Sequence, residues 1–267
     1  MNNIKIANET IEITKAGQYQ LDGRTIKLTT SEPEAVKVYS PDAGAKLLEK
    51  YSSAEKTGDM CSITVTTEDS YAAASRFEHP LVMNFANAHS VGGGFRLGAN
   101  AQEEALCRCS TLYASISSDA ASEMYKYNNT HINAVESDYM LLSDNVCVFR
   151  DHKCNLTDSP FSVGVITLPA PNKRGAAIFA SGKKINETIL RRIRIMLCIA
   201  AENGYRSLIL GAWGCGAFGN SPDDVSKAFR TALCDDGLGR YFSDVCFAIY
   251  GPEDGKNYIA FRNTFPE

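Results

Sequence analysis

The chain has 267 residues, of which 44% are hydrophobic and 22% are charged, a composition typical of a globular protein with a sizeable core. Its formal net charge is −4, and its lysines and arginines are scattered rather than clustered. A nonspecific nucleic-acid binder needs a basic face, so we expect no direct nucleic-acid binding. If a ligand carries phosphates, backbone donors must hold them.

Cysteine usage indicates the redox environment. Nine cysteines are present, no Cys-x-x-Cys pair occurs, and several thiols fall inside apolar, strand-like segments. This usage is typical of buried thiols in a reducing compartment and not of a disulfide-stabilised secreted domain. The first residues lack the apolar stretch of a secretory signal, and no apolar run is long enough for a membrane span. We therefore predict a cytoplasmic location and no membrane association.

The N-terminal part of the chain differs from the rest. About the first 60 residues are more polar and less periodic than the remainder. This pattern indicates a helical and hairpin-like extension at residues 1–60, packed on a core at residues 61–267. No linker-like or repetitive segment separates the two parts, so we expect one folding unit overall.

From residue 61 onward, short apolar segments alternate with segments of helical periodicity. The apolar segments predict strands, and apolar residues three to four positions apart predict helices. The pair Ser221 and Pro222 is a favourable helix start, with the serine as N-cap and the proline in the first turn. The predicted strands are residues 62–66, 81–86, 146–149, 163–168, 207–212 and 245–250. The predicted helices are residues 70–77, 102–115, 124–128, 185–203, 222–233 and 256–265.

This alternation predicts an α/β fold in which helices cover both faces of a mostly parallel or mixed sheet. Ligands of such sheets bind beyond the carboxyl ends of the strands. Glycine-rich segments follow two of the predicted strands, at residues 81–86 and 207–212. We therefore look for the functional site at these two loops.

The first loop, residues 86–104, contains three consecutive glycines, Gly92, Gly93 and Gly94. Such a run suits either a tight turn or a place where backbone N–H groups approach an anion closely. A helix start just beyond the glycines strengthens the anion-binding interpretation. Two polar residues directly after a buried strand, Asn87 and His89, also favour a site over a simple turn.

The helix after this loop begins with Gln102, Glu103 and Glu104. Acidic residues are favoured in a first helical turn, so the two glutamates are explicable by helix electrostatics alone. Alternatively, one carboxylate is crowded by its neighbour and partly buried, which raises its pKa enough for a general acid. Glycoside cleavage needs such a proton donor at the leaving oxygen.

The second loop, residues 211–220, reads Gly-Ala-Trp-Gly-Cys-Gly-Ala-Phe-Gly-Asn and leads into the helix at Pro222. It is a second candidate phosphate cradle. We expect Trp213 to pack in the core and Phe218 to face a ligand. Cys215 is a weak candidate nucleophile, because no histidine lies near it in the sequence.

Other kinds of site find no support in the sequence. Neither glycine loop has the spacing of a P-loop, and the four histidines are scattered without a metal-binding pattern. Cys107 and Cys109 lie two apart on a predicted helix, so they point in different directions and cannot chelate one ion. We therefore predict neither a metal nor a cofactor.

Taken together, several motifs make the chain resemble the bacterial-type poly(ADP-ribose) glycohydrolases (PARG) of the macrodomain superfamily. The most specific is the glycine triplet followed, after seven residues, by Gln102, Glu103 and Glu104. The others are Asn-Phe-Ala-Asn at residues 84–87, Gln-Glu-Glu-Ala-Leu-Cys-Arg-Cys-Ser-Thr-Leu-Tyr at 102–113, Val-Phe-Arg-Asp at 148–151, Pro-Ala-Pro-Asn at 169–172 and the loop at 211–220.

The resemblance implies a macrodomain-like three-layer α/β/α sandwich with a mixed central sheet and an N-terminal helical extension. It implies a glycoside hydrolase that cleaves ribose–ribose O-glycosidic bonds and releases ADP-ribose from ADP-ribose polymer or an ADP-ribosylated macromolecule. The sequence does not reveal the oligomeric state, and we expect a monomer. Glu104 would be the catalytic acid/base, and Glu103 would hold ribose hydroxyls.

The resemblance also implies the binding residues. Asn87 and Phe218 would contact the distal ribose, and an acidic residue near the end of an earlier strand, Glu68 or Asp69, would meet the adenine amine. The two glycine loops would flank the diphosphate. The other implied substrate-binding residues are Gly92, Gly93, Gly94, Gln102, Gly214, Cys215, Gly216, Ala217, Gly219 and Asn220.

Two alternatives keep the same fold. One is a hydrolase of mono-ADP-ribose on protein or nucleic acid, and the other is a module that binds ADP-ribose without turnover. The presence of both Glu103 and Glu104 disfavours the second, because a binding module has no need of a positioned acid.

Overall fold

The computed structural model describes residues 2–55 and 57–266. Its strands are β1 (Gln18–Leu21), β2 (Arg24–Lys27), β3 (Lys37–Tyr39), β4 (Ser62–Thr66), β5 (Leu81–Ala86), β6 (Met140–Arg150), β7 (Leu156–Pro169), β8 (Ser207–Leu210) and β9 (Asp244–Ala248). Its α-helices are α1 (Asn3–Ala16), α2 (Pro41–Ser53), α3 (Ser70–Ala74), α4 (Gln102–Cys109), α5 (Leu112–Ile116), α6 (Ser122–Thr130), α7 (Gly182–Glu202), α8 (Pro222–Arg230) and α9 (Lys256–Thr264).

A seven-stranded mixed sheet forms the centre of the molecule, in the order β3–β6–β7–β5–β8–β9–β4. The five strands β7, β5, β8, β9 and β4 are parallel, whereas β6 is antiparallel to both of its neighbours. The carboxyl ends of these five parallel strands therefore share one edge of the sheet. The remaining strands, β1 and β2, form a separate hairpin.

Helices cover both faces of the sheet. In β5, Leu81 and Met83 belong to the core cluster that includes α7, α8 and α9, whereas Val82 belongs to the cluster that includes α3, α4, α5 and α6. A strand buried on both faces is expected to be apolar throughout, as the sequence of β5 largely is. The predicted three-layer α/β/α macrodomain-like sandwich is confirmed.

The N-terminal residues contain the helix α1 and the hairpin β1–β2. They also supply two features that the sequence did not reveal. The strand β3 pairs with β6 and forms an edge of the central sheet, and α2 packs against α7. A boundary between extension and core at residue 60 stays a prediction.

The single helix predicted for residues 102–115 is wrong. The helix α4 ends at Cys109, and Ser110 adopts an extended conformation that forms a bridge with Val148 of β6. The Ser110 hydroxyl donates to Leu106 O at 2.8 Å and accepts from Leu112 N at 3.2 Å, so it replaces helical backbone contacts. A second short helix, α5, follows. The strands β6 and β7 also extend well beyond the predicted segments.

Within the described residues, none of the helices combines the length and apolar character that a membrane crossing requires.

The aromatic cluster under α8 and α9 provides a test of this core. Phe247 in β9 is fully buried and contacts Phe229, Phe261 and Phe265. We expect Phe247→Ala to lower the free energy of unfolding by about 3–5 kcal/mol, because the truncation removes apolar contacts and leaves a cavity. Urea unfolding of the purified protein measures this. Phe179→Ala is the matched control, because that ring is 94% exposed, and its effect should stay within about 0.5 kcal/mol. Equal effects of the two substitutions would contradict the packing described here.

Candidate active site

A cleft of about 1050 Å³ lies at the sheet edge where the parallel strands end. Residues from the carboxyl end of each parallel strand, or directly beyond it, line this cleft. They include Asp69 after β4, Phe85 in β5, Ala170 after β7, Gly214 after β8 and Ile249 after β9. The cleft continues between α3 and α4 toward the turn that connects β6 and β7. Its position agrees with the location predicted from the two glycine loops.

The glycine triplet brings the backbone against a glutamate. Gly92 and Gly93 have φ angles of +65° and +57°, a left-handed conformation that favours glycine. A Cβ on Gly93 would collide with Glu104 Oε1 and would lie 3.2 Å from Glu103 Oε2. Gly94 N donates to Glu104 Oε1 at 2.9 Å. The triplet therefore positions Glu104, and its predicted contact with a diphosphate stays a prediction.

The other carboxylate oxygen of Glu104 is also fixed by the backbone. Oε2 accepts from Ala101 N at 2.9 Å, a contact across the first turn of α4. Glu104 lines the cleft and is 7% exposed. Its carboxylate is thus oriented by two backbone N–H groups, one from the glycine turn and one from the helix start.

Glu103 is buried more deeply, with 3% of its surface exposed. Its Oε2 accepts from Asn87 N at 2.9 Å and its Oε1 from Asn84 Nδ2 at 3.2 Å. Burial raises the pKa of Glu103 to about 8, and the nearby Glu104 carboxylate contributes to the increase. The sequence predicted a raised pKa for one carboxylate of this pair, and the structure assigns that pKa to Glu103.

Gln102 connects the start of α4 to β5. Its Oε1 accepts from Phe85 N at 2.9 Å, and its Nε2 donates to Met83 O at 2.8 Å and to Ser70 Oγ at 3.2 Å. Both ends of the side-chain amide are therefore engaged with the protein. These contacts attach the start of α4 to β5 and α3, and the predicted contact of Gln102 with the substrate stays a prediction.

Asn84 is a site residue that the sequence analysis did not single out. It is fully buried in the middle of β5, where its Nδ2 donates to Glu103 Oε1 and, at 3.1 Å, to Thr167 Oγ1. Its Oδ1 is buried without a hydrogen-bond partner among the described residues. The sequence did contain a signal, since Asn84 stands inside an otherwise apolar strand. A buried amide needs hydrogen-bond partners, so such a residue indicates polar neighbours in the fold.

Asn87 lies in the cleft wall directly after β5. Its side-chain Oδ1 accepts from His89 N and Ser90 N, both at 2.9 Å, which fixes the start of the glycine loop. The predicted contact with a ribose therefore falls to the amide Nδ2, since Oδ1 is already occupied twice.

The second glycine loop forms the opposite wall. Gly214, Gly216, Ala217 and Phe218 line the cleft, and Phe218 is half-buried. Gly214 has a φ of +72°, and a Cβ there would lie 2.5 Å from Asn220 Nδ2. The structure thus brings this part of the predicted loop to the cleft.

The remaining residues of that loop support it from behind. Asn220 Nδ2 donates to Pro171 O at 2.9 Å and to Gly214 O at 3.2 Å, and Gly219 N donates to Gly216 O at 3.2 Å. Trp213 is fully buried and donates to Leu168 O at 3.2 Å, as expected of a core residue. Burial raises the pKa of Cys215 to about 12, which disfavours a nucleophilic thiolate there.

The two acidic residues suggested for the adenine amine occupy different environments. Asp69 lines the cleft and caps α3, where its Oδ1 accepts from Tyr71 N at 3.0 Å and from Ala72 N at 3.1 Å. Glu68 forms an ion pair with Arg76, which lowers the pKa of the Glu68 carboxyl. The geometry therefore favours Asp69 over Glu68.

The end of β9 and the start of α9 contribute residues that the sequence analysis missed. Ala248, Ile249, Tyr250 and Asn257 line the cleft, and Tyr250 is 78% exposed. An exposed aromatic ring beside a cleft is a signal of ligand stacking, but only the fold places Tyr250 in the same cleft as Asp69. Among the described residues, no group of three or more histidine, cysteine or acidic side chains could hold a metal ion.

The fold and the cleft thus define a macrodomain-like α/β protein with a carboxyl pair at the head of a helix. The family model of the microbial-type PARG catalytic domain matches residues 7–151 of the chain. The chain belongs to this microbial-type poly(ADP-ribose) glycohydrolase family, and it is a glycoside hydrolase. No curated protein matches it.

Solved structures of bacterial enzymes resemble the whole chain. Poly(ADP-ribose) glycohydrolase from Thermomonospora curvata is 36% identical, with a TM-score of 0.91 and coverage of 98% of this chain and 99% of that chain. The same enzyme bound to the inhibitor ADP-HPD is 35% identical, with a TM-score of 0.89 and the same coverage. Poly(ADP-ribose) glycohydrolase from Deinococcus radiodurans in complex with ADP-ribose is 33% identical, with a TM-score of 0.80 and coverage of 92% and 98%.

The close approach of Gly93 to Glu104 can be tested by substitution. We expect Gly93→Ala to remain folded but to release ADP-ribose from poly(ADP-ribose) about 100-fold more slowly, because a Cβ displaces the Glu104 carboxylate. Gly182→Ala is the matched control, because no atom lies within 4 Å of a Cβ there and its φ is not left-handed. An unchanged rate for Gly93→Ala would show that the turn does not fix the reacting glutamate.

The raised pKa of Glu103 predicts a pH-dependent stability. The folded protein keeps the Glu103 proton up to about pH 8, whereas an ordinary glutamate loses it near 4.5, so stability falls as pH rises between these values. We expect Glu103→Gln to lose less free energy of unfolding than the wild type between pH 5 and pH 8. Urea unfolding of both proteins at the two pH values measures the difference. Parallel losses would mean that Glu103 does not bind this proton.

Proposed function

We propose that the chain is an exo-acting poly(ADP-ribose) glycohydrolase in which Glu104 is the general acid/base and Glu103 holds the ribose. The observation that carries this proposal is the pair of buried glutamates at the start of α4, which line the cleft and are oriented by backbone N–H groups. Fixed hydrogen bonds hold a catalytic carboxylate in place before the substrate arrives.

The reaction has two proton transfers. As the bond between the ribose carbon and its bridging oxygen breaks, charge of oxocarbenium type develops on the ribose and Glu104 protonates the departing oxygen. Glu104 then accepts a proton from a water molecule, whose oxygen bonds to the same ribose carbon. The products are ADP-ribose and a polymer shortened by one unit.

Glu103 has a complementary role. Because its pKa is about 8, it keeps its proton at neutral pH and can donate a hydrogen bond to a ribose oxygen as well as accept one. Among the described residues the buried Asn84 Oδ1 has no hydrogen-bond partner, so a reversed Asn84 amide would offer an acceptor to the protonated Glu103.

The remaining substrate groups fit the walls of the cleft. We assign the diphosphate to the loop at residues 214–219, where the backbone around Gly216 lines the cleft and offers N–H groups to an anion. Phe218 then covers the distal ribose, and Asn87 Nδ2 contacts it. Asp69 and Tyr250, on the other side, suit the amine and the ring of adenine.

We also propose a cytoplasmic, monomeric protein. Six of the nine cysteines are buried thiols, as is typical of a protein from a reducing compartment.

A polymerase that carries its own poly(ADP-ribose) is the substrate whose products distinguish an exo-acting enzyme from the alternatives. An exo-acting enzyme releases monomeric ADP-ribose from the first time point, whereas an endo-acting enzyme first produces shorter chains. A mono-ADP-ribosyl hydrolase would leave the polymer intact but remove single protein-linked units. If the polymer stays intact and the protein binds ADP-ribose tightly, the chain is a module that binds ADP-ribose without turnover and not a hydrolase.

The assignment of Glu104 as the general acid/base is tested by a substitution at that residue. Glu104→Gln should slow ADP-ribose release by at least about 10²–10⁴-fold, because an amide cannot donate the carboxylic proton, while calorimetry should still detect ADP-ribose binding. Glu187→Gln is the matched control, because this side chain is exposed on α7. Glu103→Gln should retain more activity than Glu104→Gln, with weaker substrate binding. The reverse order of activities would assign the acid to Glu103.

A further inference from the structure

The cleft has a second end, remote from the glutamates, at which two cysteines meet. It runs between α3 and α4 and reaches residues 151–155, the turn between β6 and β7. Cys109, the last residue of α4, and Cys154, in the turn, both line this end of the cleft. Their positions are 45 apart in the chain, so only the tertiary structure brings the two thiols together.

The two sulfurs lie 4.0 Å apart and both thiols are free. Cys109 is buried and donates to Asp151 O at 3.3 Å, whereas Cys154 is half-buried and therefore accessible from the cleft. A disulfide needs a sulfur–sulfur distance of about 2.0 Å, so an approach of about 2 Å closes the bond.

The turn holds Cys154 in a defined place. Cys154 N donates to Asp151 O at 2.8 Å, and Asp151 Oδ1 accepts from Lys153 N at 2.9 Å and Asn155 N at 2.8 Å. Cys154 has a φ of +61°, a left-handed conformation that a non-glycine residue keeps only where its surroundings enforce it. Arg150 Nη1 donates to the Cys154 carbonyl at 2.8 Å and fixes the turn to β6.

The surroundings make the two thiols chemically unequal. The hydrogen bond with Cys109 and the neighbouring guanidinium groups of Arg108 and Arg150 lower the pKa of the Cys154 thiol. The same hydrogen bond and burial raise the pKa of the Cys109 thiol. Cys154 therefore has the character of an attacking thiolate, whereas Cys109 stays protonated as a thiol.

We propose that Cys154 and Cys109 form a reversible oxidation site for hydroperoxides, with Cys154 as the reacting thiol and Cys109 as the resolving thiol. The half-buried Cys154 sulfur is the one that an oxidant in the cleft reaches first, and the resolving thiol already lies beside it. This inference does not depend on the proposed function.

The chemistry balances in two steps. The Cys154 thiolate sulfur attacks one peroxide oxygen, so a sulfur–oxygen bond forms, the oxygen–oxygen bond breaks and the departing oxygen takes a proton from solvent. The Cys109 sulfur then attacks the sulfenic sulfur, so a sulfur–sulfur bond forms and water leaves with the Cys109 proton. The two thiols lose two electrons and the hydroperoxide gains them.

The site is well placed to affect the rest of the cleft. Cys109 ends the helix whose first turn holds Glu103 and Glu104. The adjacent Arg108 donates to Ala99 O at 2.5 Å, close to the residue whose N–H fixes Glu104. The thiol pair and the two glutamates therefore lie at opposite ends of the same helix.

The full-length reduced protein tests this inference. After a brief treatment with hydrogen peroxide, we expect the loss of two free thiols per chain, an intact mass lower by two hydrogens, and a peptide map joining Cys109 to Cys154. Dithiothreitol should restore both thiols. A wild-type protein that keeps nine thiols, or that forms a bond between other cysteines, would overturn the proposal, and this measurement needs no variant.

Variants then separate the two roles. Cys109→Ser should accumulate a Cys154 sulfenic acid that dimedone traps, and Cys154→Ser should abolish both the bond and the trapped product at this site. Cys234→Ser is the matched control, because that thiol is also half-buried but burial raises its pKa, and it should still form the bond. The assignment of Cys154 as the reacting thiol would be contradicted if Cys154→Ser reacted with peroxide as fast as the wild type and dimedone then labelled Cys109.

Discussion

The two backbone hydrogen bonds to Glu104 are the constraint on which the site depends. Gly94 N and Ala101 N each hold one carboxylate oxygen, and the first contact requires a left-handed turn without a Cβ at Gly93. Gln102 then attaches the same helix start to the backbone of β5. The position of the Glu104 carboxylate is therefore set by main-chain geometry before any substrate binds.

Two adjacent residues of the same type acquire different properties from their surroundings. Glu103 points toward Asn84 inside the sheet, and burial there raises its pKa to about 8. Glu104 faces the glycine turn and the start of α4 instead. Under the proposed function, this difference supplies a neutral hydrogen-bonding carboxyl in Glu103 and a separate acid/base in Glu104, a division that environment commonly imposes on carboxyl pairs.

The acidic composition of the chain is consistent with a cleft built from backbone donors and neutral side chains. Both walls use glycine-rich turns that follow parallel strands, and the second wall is stabilised from behind by Asn220 and the buried Trp213. The groove between α3 and α4 links this region to the thiol pair at the β6–β7 turn. One helix, α4, therefore has the glutamates at its first turn and a cysteine of that pair at its last residue.

The sequence by itself determined the α/β class, the two glycine loops as the place of the site and the two glutamates as candidates, because apolar periodicity, glycine runs and helix-start signals are local properties. The break of α4 at Ser110, the edge strand β3 and the contributions of Asn84, Tyr250 and Cys154 were decided only by the tertiary structure. Each of these depends on a partner distant in the chain. The same reason explains why the structure, and not the sequence pattern, assigns the raised pKa to Glu103. How deeply a side chain is buried depends on the packed molecule and cannot be inferred from two adjacent glutamates in a sequence.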